Sequence, residues 1–115
     1  MTTNETNHDA TQILGTMSIK KIEGRRAGRE LIGGQWVIGT IAGHRFDALV
    51  FEEHALDPAY ELGESRISKL WIKRLADNRT VFNWDRGADV EAADGLTKQI
   101  VDLLAAGLAE MVFGA

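Results

Sequence analysis

Through the middle of this chain apolar residues alternate with polar ones, and near its end the spacing lengthens to three and four residues. Alternation is the period of a strand and the longer step that of an amphipathic helix. The clearest stretch is "QWVIGTIAGHRFDALVF", residues 35–51. Two β-rich runs flank Ala42-Gly43, a two-residue hairpin turn in which glycine takes the positive φ. That register sets Ile41 opposite His44, Gly39 opposite Phe46 and Val37 opposite Ala48 on one face. Trp36 then meets Leu49, Ile38 meets Asp47 and Thr40 meets Arg45 on the other. Gly39 is expected to leave room for the Phe46 ring. A second hairpin is expected from strands 66–75 and 80–85, turning at Asp77-Asn78. With that pair at the turn centre, Trp71 meets Trp84, Lys73 meets Phe82 and Lys69 meets Arg86. Ser18–Ile22 reads as an edge strand protected by its lysines. From residue 89 onward Leu96, Ile100, Leu103, Leu104, Gly107, Leu108 and Met111 follow the helical period, with Asp94 as N-cap and Gly114 as terminator. Gly107 suggests a close approach to the sheet.

These elements define an α+β fold, an antiparallel sheet of four to five strands in two hairpins against one C-terminal helix. The polar residues 1–15 read as a flexible tail and 16–115 as one domain. One helix covers one sheet face, yet both faces of both hairpins carry apolar residues. The surplus calls for a companion, and a homodimer is the expected one.

Charge sharpens this picture only locally. The net charge of −4 argues against a generic nucleic-acid binder, although basic and acidic segments alternate along the chain. The absence of cysteine removes disulfides, thiolate nucleophiles and Cys-ligated metals. No apolar run approaches the ~20 residues of a membrane helix, and no basic-then-apolar leader opens the sequence. A cytoplasmic protein is the expectation.

Candidate chemistry is sparse. In "RISKLWIKR" cations interleave with a tryptophan, and the expected register groups Trp71, Trp84, Lys69, Lys73 and Arg86 on one face, with Arg66 at the strand's start. Aromatic planes beside cations can stack bases and neutralise phosphates; the plainer reading is core tryptophans with snorkelling lysines. Lys20, Lys21, Arg25, Arg26 and Arg29 form either a solvated loop or a phosphate-gripping arm. Asp85, Asp89, Glu91 and Asp94 match no metal-ligand spacing, and helix capping accounts for such acids more simply. Glu52, Glu53 and His54 have acid–base potential, but on a regular strand they would not converge. No phosphate-cradling glycine motif or nucleophile motif is present, so the expectation is a non-enzyme without cofactor or metal.

The motifs "SRISKLWI" and "VFNWDRGAD", after "WVIGTIAGHRFDALVFEE", resemble a family of small uncharacterised domains borne by bacteriophages and prophages. The likeness covers about residues 35–105. Members tend to carry Gly before the first motif's Arg and Trp after the second motif's Gly, where this chain has Ser65 and Ala88. No activity or residue role transfers from the family. What the resemblance implies is a context, that of phage proteins which block host machinery inside the bacterial cell. The leading expectation is a protein that inhibits a bacterial anti-phage defence complex, anti-CRISPR-like, through protein contacts. The alternatives are a nucleotide or nucleic-acid binder, such as a sponge for a signalling nucleotide, and a small hydrolase using Asp85, Asp89 or the Glu52–His54 group.

Overall fold

In a computed structural model, which describes residues 9–114, the chain folds as an α+β domain with a six-stranded sheet and one long C-terminal helix. The strands are β1 (Ser18–Ala27), β2 (Glu30–Ile41), β3 (His44–Val50), β4 (Ile67–Arg74), β5 (Arg79–Asp85) and β6 (Ala88–Val90). They lie side by side in chain order, every pair antiparallel, as expected when each connection is short. Helix α2 spans Gly95–Phe113. Of the expected tail, residues 1–8 lie outside the described residues, while Ala10–Gly15 form a short helix, α1, capped by Asp9.

The first hairpin has the expected register at every pair, from Ile41 opposite His44 to Trp36 opposite Leu49. Gly39 does make room for Phe46: a Cβ there would stand 2.8 Å from the ring and 2.5 Å from the Ser18 carbonyl oxygen. The inward residues Val37, Ile41, Phe46, Ala48 and Val50 meet Ile67, Leu70, Ile72, Val81 and Phe82 from the second hairpin. Ile100, Val101, Leu104, Leu108 and Ala109 of α2, with Ile13 of α1, close over them in one core. Each aliphatic side chain sealed there contributes roughly 1.5–3 kcal/mol relative to exposure. Gly107 does not mark a close approach, since the space beside it is open apart from the Met111 methyl at 3.9 Å. Met111 itself is half exposed.

The second hairpin corrects the expected register, by two residues beside the turn and by one beyond a bulge. The loop is Leu75–Asn78, with Arg74 opposite Arg79, and Val81 is taken up in a bulge before Ile72 meets Phe82. Beyond the bulge Trp71 faces Asn83, Leu70 faces Trp84 and Lys69 faces Asp85. Beyond the bulge the one-residue slip turns Phe82, Asn83, Trp84 and Asp85 to the other face, whereas Thr80 keeps its expected side beside Lys73. The slip also replaces the like-charged pair Lys69–Arg86 by the ion pair Lys69–Asp85, at 3.7 Å.

The basic segment is likewise not a loop. β1 continues to Ala27 and pairs with β2 around a tight turn at Gly28-Arg29, so residues 18–41 form one long hairpin at the sheet's edge. Its outer half is exposed on both sides, and for that reason it shows no alternation. Gln35 ties it down: the buried amide donates to the carbonyls of Arg25 and Ile32 at 3.1 and 3.2 Å.

The N-terminus of α2 is fastened by Asp94. One carboxylate oxygen accepts from the Thr97 amide and hydroxyl, at 2.8 and 2.7 Å, and the other meets Arg74 at 3.3 Å. Gly114 ends the helix in the left-handed conformation.

Candidate functional site

With α2 over one face, no element of the described residues covers the opposite, bare face of the sheet. Three cross-strand rows make it up. The first holds Thr40, Arg45, Lys73 and Thr80; the second Ile38, Asp47, Trp71 and Asn83; the third Trp36, Leu49, Lys69 and Asp85. Phe51 follows β3 and, like Trp36, is more than a third exposed. An apolar band of Trp36, Ile38, Leu49, Phe51 and Trp71 therefore faces outward, against the usual polar outer face of an antiparallel sheet. Trp71 is pinned at the centre. Its indole N–H donates to Thr80 at 3.1 Å, and Arg45 and Lys73 lie 5.9 and 5.8 Å from its ring.

Charges on this face are mostly cancelled within it. Arg45 pairs with Asp47 at 2.8 Å, Lys69 with Asp85 at 3.7 Å, and Lys21 with Glu23 at 3.2 Å. The hydrogen bond and charge of Asp47 hold the Arg45 guanidinium above its already high ordinary pKa. Lys73 is a cation of the face with no carboxylate partner among the described residues.

At one end of the same face lies a cavity of about 600 Å³. Leu49, Ser68 and Lys69 line it from the sheet, Phe51–Ala55, Tyr60 and Glu61 from the loop after β3, Arg66 from the last position before β4, and Arg86 from the turn between β5 and β6. The loop is held by its own polar groups. Asp57 caps a single 3-10 turn at Pro58–Tyr60, and the Leu62 amide donates to the Ile67 carbonyl at 2.8 Å. The buried Glu61 carboxylate accepts from His54 Nδ1 and from the Ala55 amide, both at 2.9 Å. That bond fixes the orientation of the imidazole.

Two arginines at the cavity carry unusual backbone. Arg66 has φ +65° and Arg86 φ +59°, a region that costs a side-chain-bearing residue roughly 1–2 kcal/mol. Arg66 donates to the Glu52 carbonyl at 2.6 Å. Arg86 lies over the Tyr60 ring, 4.7 Å from its centre.

Of the expected binding residues, Arg66, Lys69 and Arg86 converge on this cavity. Trp71 and Lys73 stand together on the bare face. Trp84 does not join them, because the slip of β5 places it half-buried against the core. Lys20, Lys21, Arg25 and Arg26 are exposed along the edge hairpin, away from the cavity lining. Glu52, Glu53 and His54 do share one cavity, since the chain is irregular after Val50. Tyr60 and Glu61 were not singled out in the sequence; the Asp57-Pro58 turn that folds Glu61 back toward His54 was the available signal. Asp85 and Asp94 are engaged by Lys69 and Arg74, and among the described residues no three His, Asp or Glu side chains gather as a metal site. No helix of the described residues is long and apolar enough to cross a membrane.

A protein-family model described as a domain of unknown function matches residues 35–109, from the middle of β2 to the last turns of α2. The edge hairpin's outer half and α1 fall outside the match. No curated protein and no solved structure matches the chain.

Proposed function

This chain belongs to the DUF7678 family, and from that premise we propose that it is a non-enzymatic binding module whose bare sheet face docks a protein partner. The observation that carries the reading is the outward band of Trp36, Ile38, Leu49, Phe51 and Trp71, with its neighbouring charges already paired inside the face. A covering partner would bury aromatic anchors without stranding those charges, which is how a desolvated interface centre is built. Lys73, unpaired beside Trp71, favours a partner that presents a carboxylate at that point.

The phage-type resemblance supports a component of a bacterial defence complex as the partner and its inhibition as the outcome. Expressed in a bacterium with an active defence system, the protein is expected to raise plaque counts of a restricted phage. A folded Trp71→Asp/Ile38→Asp variant should lose both that effect and the captured effector subunit, while Met111→Asp on the helix side retains them. Undiminished inhibition in the sheet-face variant sinks the proposal. So does a concentration-dependent dimer that the same variant abolishes, because a second copy would then be the cover.

A further inference from the structure

We infer that the outer half of the edge hairpin is a sequence-independent contact arm for double-stranded DNA. Residues 18–34 carry five cations against two glutamates, whereas the rest of the chain carries eight against fifteen. Positive charge is thus gathered on one edge element of an acidic body. β1 pairs only with β2, and from Glu23 to Glu30 every residue is exposed. Lys21 is already paired with Glu23 at 3.2 Å. Lys20, Arg25, Arg26 and Arg29 have no ion pair and no side-chain hydrogen bond among the described residues. Glu30 and Glu52 border the same cleft as Arg26 and Arg29 but form an ion pair with neither.

Where these cations stand decides the partner. Cross-strand partners share one side of a ribbon and neighbours in a strand take opposite sides, so Arg25 stands with Ile32 on one side and Arg26 with Leu31 on the other. Arg26 and Leu31 border a cleft with Val112 and Phe113 of α2, which makes theirs the helix side. Arg29 lies in the turn at the tip, beside Gly28. An acidic protein surface would meet one side of such a ribbon and leave the cation of the other side unused. A groove with phosphates along both walls meets both sides and the tip together. The major groove of B-DNA, about 12 Å wide, admits a two-stranded ribbon, whereas the deep, narrow major groove of duplex RNA does not. Residues 24–33 hold no aromatic ring on which the bases of a single strand could stack. Arginine suits the role, since its planar guanidinium can hydrogen-bond a phosphate through two N–H groups at once.

The test is fluorescence anisotropy of a labelled, mixed-sequence DNA duplex of about 20 base pairs titrated with the full chain, with a thermal melt on each variant. The duplex should bind in ~50 mM KCl and lose about a hundredfold in affinity at ~200 mM, the change expected when about four phosphates are neutralised. An Arg25→Ala/Arg26→Ala/Arg29→Ala variant should melt close to wild type, since none of these side chains bonds within the fold, and bind at least tenfold more weakly. Arg29→Glu changes only the exposed tip and serves as the second variant, with a loss of at least fivefold expected if the triple variant is poorly folded. The Trp71→Asp/Ile38→Asp protein should still bind the duplex, within about threefold of wild type, which separates the arm from the protein-docking face. No binding at ~100 μM protein in ~50 mM KCl overturns the proposal. So does binding that survives both arginine variants. Displacement of the duplex by polyglutamate of matched charge as readily as by unlabelled duplex overturns it too, and makes an acidic protein the arm's partner. Equal displacement by single-stranded DNA overturns the fit to a groove.

Discussion

Trp71 and Trp84 stand on opposite sides of one sheet: Trp71 opposite Asn83 on the bare face, Trp84 opposite Leu70 against the helix-covered core. Their substitutions should therefore part company. Trp84→Ala removes packing from the core and should cost about 3 kcal/mol in urea unfolding. Trp71→Ala loses the bond to Thr80 and two cation contacts on the face away from the core, and should cost about 1 kcal/mol. Equal losses would mean that the register of β5 is wrong.

How much of this was legible in the sequence depends on turn and bulge. The first hairpin was readable to the residue because Ala42-Gly43 permits one two-residue loop and Phe46 needs Gly39 across from it. The second was not. Asp77-Asn78 marked a turn correctly, but the loop holds four residues, and Val81 and Phe82 both point into the core across a bulge. Simple alternation cannot announce that. Arg66, Lys69 and Arg86 were visible as cations, whereas their meeting with Tyr60 depends on how an irregular loop folds back over the sheet. Local composition carries no signal for that.

Gly39→Ala should destabilise the protein by about 1–3 kcal/mol or more through overpacking. The added methyl meets two neighbours of different stiffness, the Phe46 ring at 2.8 Å and the Ser18 carbonyl at 2.5 Å. Only the ring can be trimmed. Phe46→Leu in the Gly39→Ala background is thus expected to leave the variant well below wild type, measured by urea midpoint, because the backbone oxygen of the edge strand remains in the way.

Gly24 and Gln35 should be coupled. A Cβ at position 24 would fall 2.4 Å from Gln35 Oε1, an oxygen that is buried without a hydrogen-bond partner. Gly24→Ala should cost about 1–3 kcal/mol, as should Gln35→Ala, which strands the Arg25 and Ile32 carbonyls. Since the second truncation removes the clash made by the first, a double-mutant cycle should be less than additive by at least ~0.5 kcal/mol. Strict additivity would place the Gln35 amide elsewhere than against Gly24.

Asp94 and Asp77 should set the acid limit of stability. The Thr97 amide and hydroxyl hold the Asp94 carboxyl below its ordinary range, and Arg74 does the same to Asp77. A carboxyl with a depressed native pKa stabilises the fold above its unfolded value, near pH 4, and loses that contribution as pH falls through the native value. The contribution of these two carboxyls to the unfolding free energy should accordingly be constant from pH 7 to about 5 and decline below ~4. Asp94→Ala removes the helix cap and should cost about 1 kcal/mol at pH 7. Asp94→Asn keeps an acceptor for the Thr97 amide, so at pH 7 it should stay within roughly 0.5 kcal/mol of wild type. Its acid decline should nonetheless be shallower, because only Asp77 of the pair still titrates. Urea unfolding of the three proteins between pH 2.5 and pH 7 measures this directly, and an acid decline in Asp94→Asn as steep as in wild type would show that the α2 cap does not carry the pH dependence.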